Sequence, residues 1–254
     1  MDIIVTDDHD ALSNKASEII LECIHQKPGS VLGLATGRTP VETYRKLVQA
    51  YEADRVDFSH VKVFHLDEYL GLDKDDSDSY SYYLHETLLD KVNLRKENIH
   101  LISERLLEKR RSLHHYDRLI DRNGGIDLQL LGIGSNGHIG FNEPDTDLYL
   151  DTHIAKLAKE TIRTNRTLFN DKSKMPSKAI TMGIRSVFKA RRIILLASGP
   201  DKSDIMNDFI HSETITPSIP ATFLKLHGNV TVIIDKAAAQ KYLDKKGNDH
   251  DHIN

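Results

Sequence analysis

Residues 126–131, IDLQLL, make an apolar run with the length and bulk of a strand covered on both faces, and Gly132, Gly134 and Gly137 follow it at once. Glycines so placed let the backbone turn sharply beside a ligand. His138, Asn142 and Glu143 come next, so a buried strand runs into a loop carrying ionisable groups. The same unit recurs. Residues 31–34 form an apolar run followed by Thr36, Gly37, Arg38, Thr39 and Pro40, then a helix carrying Val41, Tyr44, Leu47 and Val48. Residues 193–197 form another, followed by Ser198, Gly199, Pro200, Asp201 and Lys202 and a further helix. Strands are also expected at 3–6, 61–66, 98–103 and 230–234, with helices from Asp10 and over 105–122 and 236–243. This alternation predicts an α/β fold: a doubly wound, mainly parallel sheet with helices on both faces.

At 254 residues one such sheet is expected to make a single domain over 1–254. Two segments stand apart. Residues at about 145–178 have weak periodicity and many polar side chains and read as a mobile lid, and about 244–254 read as a frayed polar tail. A hydrophobic fraction of 39%, a charged fraction of 28% and a mean hydropathy of −0.43 describe an ordinary water-soluble chain. A formal net charge of −4 and the lack of a basic patch argue against a nucleic-acid partner. No run approaches the roughly 18 apolar residues of a membrane span, so no membrane partner is expected. Cys23 is the only cysteine, in a pattern that puts it in a helix core, which fits a reducing cytoplasm. A homo-oligomer is compatible with the sequence.

Three stretches carry chemistry. The turn at 36–40 joins a strand to a helix start, where backbone amides, the hydroxyls of Thr36 and Thr39 and the charge of Arg38 could hold a phosphate; an ordinary capped helix is the competing reading. Asp67 and Glu68 are adjacent carboxylates at a strand's end, and alternation lets only one of them face a cleft. His138 can move a proton near neutral pH, and Glu143 lies where a turning loop could bring its carboxylate back to the imidazole. Gly132, Gly134 and Gly137 formally match a dinucleotide fingerprint, but that motif opens a helix in the first βα unit, and this one sits mid-chain and ends in Asn142, Glu143 and Pro144. The acidic run 73–78 lacks the glycine and distal glutamate of a calcium loop and reads as a solvated turn. The tail histidines are too few for a metal site, so neither metal nor cofactor is expected.

The segments GLATGRTP at 33–40, FHLDEYLGL at 64–72 and LGIGSNGHIGFNEP at 131–144 resemble the signature segments of the glucosamine-6-phosphate deaminase family. NRTLFND, MPSKAITMGI and SGPDK at 198–202 extend the resemblance to about residue 240. It implies a Rossmann-like sheet with a lid, and an enzyme that isomerises open-chain glucosamine 6-phosphate and releases ammonia, leaving fructose 6-phosphate, without metal or organic cofactor. By the same resemblance Asp67 is the base at C2 and C1, and His138 assists ring opening with Glu143 and Asn136 orienting it. The phosphate would sit on residues 36–39, that is Thr36, Gly37, Arg38 and Thr39, with Arg166 from the lid and Lys202 as cations. Arg38 stands where Gly or Ser is expected, and Asn136 where some members carry aspartate. His153 and Ala155 occupy positions where members activated by N-acetylglucosamine 6-phosphate carry Arg and Lys, so no such activation is expected. A 6-phosphogluconolactonase shares the fold and the glycine–histidine loop, but 141–144 and the Asp67–Glu68 pair favour the deaminase. A sugar-phosphate sensor of a repressor would need a helix-turn-helix, for which a sheet starting at Ile3 leaves no room.

Overall fold

The computed structural model describes residues 1–103 and 113–250. Its main sheet holds β1 (Asp2–Thr6), β2 (Val31–Leu34), β3 (Lys62–His65), β5 (Ile99–His100), β6 (Leu128–Gly132), β9 (Arg192–Ala197) and β10 (Val230–Asp235). The spatial order is β1-β10-β9-β6-β2-β3-β5, and every pair is parallel. Alternate side chains feed two cores. Val31, Leu131, Ile193, Leu195, Val232 and Ile234 point to one face, and Leu32, Leu34, Leu128, Leu130, Ile194 and Leu196 to the other.

Helices cover both faces because their apolar residues recur at helical spacing. On one side lie α1 (His9–Gln26), which buries Leu12, Ala16, Ile19, Ile20 and Ile24, and α2 (Val41–Glu52), which buries Tyr44, Leu47 and Val48. Asp8 starts α1 by accepting the Ala11 amide at 2.8 Å. Cys23 is half-buried against that core. After α2 comes α3 (Tyr80–Leu84), which continues as a π turn over His85–Leu89. The opposite face is covered by α4 (His114–Arg122), which buries Tyr116 and Ile120, together with elements from the C-terminal half.

The chain runs outward from β2 through β3 to β5, then restarts at β6 on the other side of β2. Loops leaving the C-terminal ends of β2 and β6 therefore diverge and open a crevice, the usual ligand position in such sheets.

The structure departs from the sequence reading in several places. Strand β3 ends at His65, and Asp67–Tyr69 is a separate strand, β4, in a second sheet. There β7 (His153–Lys156) and β4 both pair antiparallel with β8 (Lys178–Thr181), in the order β4-β8-β7. The segment read as lacking strong elements thus contains β7, α5 (Lys159–Asn165) and the start of β8. Tyr69, Phe141, Ala155, Leu157, Phe169 and Ala179 pack into a third core beneath it. Beyond β8 come α6 (Ile184–Phe188), α7 (Ser203–His211) and α8 (Lys236–His250); the last runs past Leu243, where the sequence pattern had placed its end. The first part of the helix expected over 105–122 and the end of the tail lie outside the described residues. No described helix is long and apolar enough to cross a membrane.

Candidate active site

A cavity of about 420 Å³ opens where the C-terminal ends of β2, β3, β6 and β9 meet, and Asp67, His138, Arg38, Thr39, Thr36, Gly37 and Lys202 all line it. Its β6 wall is set by backbone geometry. The Gly137 amide bonds the Gly134 carbonyl and the Gly134 amide bonds the His138 carbonyl, each at 3.0 Å, with Gly137 at φ 87°. This folds the His138 ring onto Gly134. A Cβ at 134 would lie 2.3–2.6 Å from three atoms of the imidazole, so the glycine makes room for the histidine.

His138 Nδ1 lies 3.2 Å from Glu143 Oε2 and 3.3 Å from Thr161 Oγ1. The Asn136 side chain ties the pair together: its Nδ2 donates to Glu143 Oε2 at 2.9 Å, and its Oδ1 accepts the His138 amide at 3.2 Å. Glu143 Oε1 accepts the Ala158 amide at 3.2 Å. Burial pushes the Glu143 carboxyl upward, but the hydrogen bond and charge of His138, with Thr161 and Asn136, outweigh it and hold the group below the usual glutamate value. With Nδ1 turned to an ionised carboxylate, Nε2 has no described partner and is free to exchange a proton with a ligand.

Asp67 and Glu68 point to opposite sides of β4 and meet different fates. Glu68 accepts the amides of Tyr69 and Tyr80 at 2.9 Å and of Ser81 at 2.7 Å, closing the start of α3. Asp67 is 5% exposed and accepts no hydrogen bond from any described residue. Burial first, and the Glu68 charge second, raise its carboxyl well above the usual range. Gly140, at φ 58°, lets the chain pass this group, since a Cβ there would meet Thr181 Oγ1 at 2.8 Å and Asp67 Oδ2 at 3.3 Å. A buried carboxyl without donors, facing a cavity, is poised to act as a base once ionised.

The other end of the cavity is cationic. The turn from Thr36 to Thr39 leads through Pro40 into α2, and its carbonyls are anchored from behind: Tyr83 Oη donates to the Gly37 carbonyl at 2.8 Å, and His9 Nε2 lies 2.9 Å from the Thr39 carbonyl. Lys202 ends the short turn Pro200–Lys202 that leads into α7. Arg166 is placed differently. It begins a 3-10 turn, is exposed, donates Nε to the Lys172 carbonyl at 2.9 Å, and is not among the residues lining the cavity.

His9, Tyr80, Ser135, Thr161 and Asn165 also line the cavity and were not singled out from the sequence. His9 follows the C-terminal end of β1, so the strand-end rule that flagged 36–40 could have found it. Thr161 and Asn165 lie on α5, and nothing local in their sequence signals that this helix closes the cavity. Elsewhere, the ligand atoms of His114, Asp117 and Asp151 lie within 4.8 Å of one another, the one such group among the described residues. Asp117 is already bonded by Thr152 and Ser186, and Asp151 by Arg185, so the group acts as a polar brace between α4 and α6.

Comparison with known proteins places this geometry. Residues 7–233 match the family described as glucosamine-6-phosphate isomerases/6-phosphogluconolactonase. The chain is 45% identical over 248 residues to a glucosamine-6-phosphate deaminase of Thermoanaerobacter sp. (strain X514), covering 96% of each chain. Its fold is similar to that of a monomeric glucosamine-6-phosphate deaminase, with a TM-score of 0.89 and 36% identity over 95% of this chain and all of the other. A 6-phosphogluconolactonase from Trypanosoma cruzi superposes with a TM-score of 0.73 at 22% identity, over 94% of this chain and 96% of the other, a likeness of fold alone.

Proposed function

This chain belongs to the glucosamine-6-phosphate isomerase/6-phosphogluconolactonase family, and from that premise we propose that it converts glucosamine 6-phosphate and water to fructose 6-phosphate and ammonia. One observation carries the reading at the level of chemistry: the buried, donor-free carboxyl of Asp67 and the imidazole of His138, which is paired through Nδ1 with Glu143, line the same cavity.

The reaction asks for two kinds of proton transfer. Opening the pyranose takes a proton from the C1 hydroxyl and places one on the ring oxygen, a task for an imidazole with a free Nε2. Glu143, held ionised, steadies the imidazolium formed along the way, and Asn136 fixes Glu143. In the open chain C1 is an aldehyde and C2 carries the amine. Asp67 takes the C2 proton and gives one back to C1, while a proton of the substrate ammonium passes to O1, so C1 becomes a hydroxymethyl carbon and C2 an iminium. Water adds there and ammonia leaves. The phosphate end is held by the amides and hydroxyls at 36–39 and by Lys202, which orients C2 toward Asp67.

The lactonase alternative rests on a likeness of fold, whereas the deaminase relatives share nearly half their residues with this chain. Replacing Asp67 by Asn tests the assignment. It is expected to lower kcat by roughly 10²–10⁴, the range that placed proton transfer supplies. Binding of glucosamine 6-phosphate should change far less, because the phosphate end is a separate contact. Turnover near the wild-type rate would remove Asp67 from the mechanism.

A further inference from the structure

We propose that Thr161 is a positioning residue for the proton transfers of His138: its buried hydroxyl, carried on α5, and the Glu143 carboxylate together hold the imidazole with its proton on Nδ1, which leaves Nε2 to exchange a proton with the sugar. This rests on the deaminase reading for the identity of the reaction.

Thr161 is 3% exposed and is the one buried residue of α5. A helical threonine ordinarily returns its hydroxyl to a carbonyl of the preceding turn. Here Oγ1 reaches His138 Nδ1 instead, at 3.3 Å. Two further contacts fasten α5 to the loop that carries His138. Ala158 precedes the helix and has no side chain to cap it, and its amide is taken by Glu143 Oε1 at 3.2 Å. Ser135 Oγ donates to Glu160 Oε1 at 2.8 Å. The helix is thus built onto the His138–Glu143 pair, and Thr161 lines the same cavity as His138.

The chemistry of the three groups leaves one arrangement. An ionised carboxylate only accepts, so Nδ1, 3.2 Å from Glu143 Oε2, carries the proton. A threonine hydroxyl has one proton to give and two lone pairs to receive with. It accepts from Nδ1–H and turns its own proton toward Glu143. Burial raises the Glu143 carboxyl, and His138 first, then the Thr161 hydroxyl and Asn136, bring it below the usual value. A hydroxyl donating to Nδ1 would instead set the Nδ1 lone pair against the carboxylate, two acceptors 3.2 Å apart. Gly134 fixes the face of the ring, since a Cβ there would collide with three of its atoms. Two oxygens on Nδ1 then fix its rotation, because turning the ring over would put a carbon where the donor stands.

The test joins steady-state turnover of glucosamine 6-phosphate to the exchange rate of the His138 Nδ1 proton, followed by nitrogen-edited NMR. The proteins are the wild type, Thr161→Val, Thr161→Ser, Glu143→Gln and the double variant of Thr161→Val with Glu143→Gln. Valine keeps the shape and loses the hydroxyl, whereas serine keeps the hydroxyl. Thr161→Val is expected to lower kcat roughly ten- to a hundredfold, the range for a hydrogen bond to a charged group. KM should stay within about threefold, and Thr161→Ser should recover most of the loss. In the Glu143→Gln background the same change should cost less than about threefold, because both residues act through one imidazole. The Nδ1 proton should exchange at least about tenfold faster in Thr161→Val than in the wild type or Thr161→Ser. A threonine that served packing alone would lower the melting temperature and leave the exchange rate where it was. The proposal is overturned if Thr161→Val keeps the wild-type kcat or the wild-type exchange rate, if Thr161→Ser is as impaired as Thr161→Val, or if the losses of the double variant multiply in full. A wild type that releases no ammonium, but whose Nδ1 proton is loosened by Thr161→Val and held by Thr161→Ser, would sink the deaminase reading and leave the positioning of His138 standing.

Discussion

Asp67 and Glu68 are neighbours in sequence, equally buried, and opposite in what the fold gives them. Glu68 receives three backbone amides, while Asp67 receives none and pays the desolvation in full. Alternation along an extended chain made it legible that only one would face a cleft, but not which, because that depends on a strand partner far away in sequence. The raised carboxyl of Asp67 has a thermodynamic sign. The fold favours its protonated form, so the associated stability is present below the ordinary carboxylate value of about 4 and is lost as pH rises toward the raised one. Asp67→Asn should therefore melt at a higher temperature than the wild type at pH 7, with the gap closing as pH approaches 4. Melting curves across that range decide the matter, and equal Tm at pH 7 would mean that Asp67 is not strained. The pairing of His138 with Glu143 was readable from loop spacing. Arg166 came from resemblance alone, and the structure leaves it off the cavity wall.

Elements that show themselves as apolar runs ending in glycine turns were legible, since a strand buried on both faces has little choice of composition. The second sheet was not. Strands β4, β7 and β8 span three or four residues, pair with remote segments and carry no local period, so a reader sees loops. Their assembly matters to the site, because pairing β4 with β8 turns Asp67 inward and Glu68 toward the start of α3. That helix carries Tyr80, which lines the cavity, and is followed at once by the π turn. Glu68→Ala should strand the amides of Tyr69, Tyr80 and Ser81 and cost about 1–3 kcal/mol. For a chain of this size that lowers Tm by roughly 2–12 °C. A thermal melt unchanged from the wild type would show that water or a shift of α3 replaces the carboxylate.

At the scale of the molecule, the alternation of strands and helices was enough to foresee a doubly wound sheet, and the reversal of strand order between β2 and β6 explains where the chemistry sits. A net charge of −4 gave no hint of the cationic end of the cavity, because two well-placed side chains are invisible in a sum over 254 residues. The match to deaminase relatives over 96% of the chain concerns this whole architecture, not one motif. The most direct test is to supply purified protein with glucosamine 6-phosphate and measure ammonium and fructose 6-phosphate together, with 6-phosphogluconolactone hydrolysis run beside it. The expected result is equimolar release of both products and no lactone hydrolysis above the uncatalysed rate. Rapid lactone hydrolysis with no ammonium would contradict the assignment.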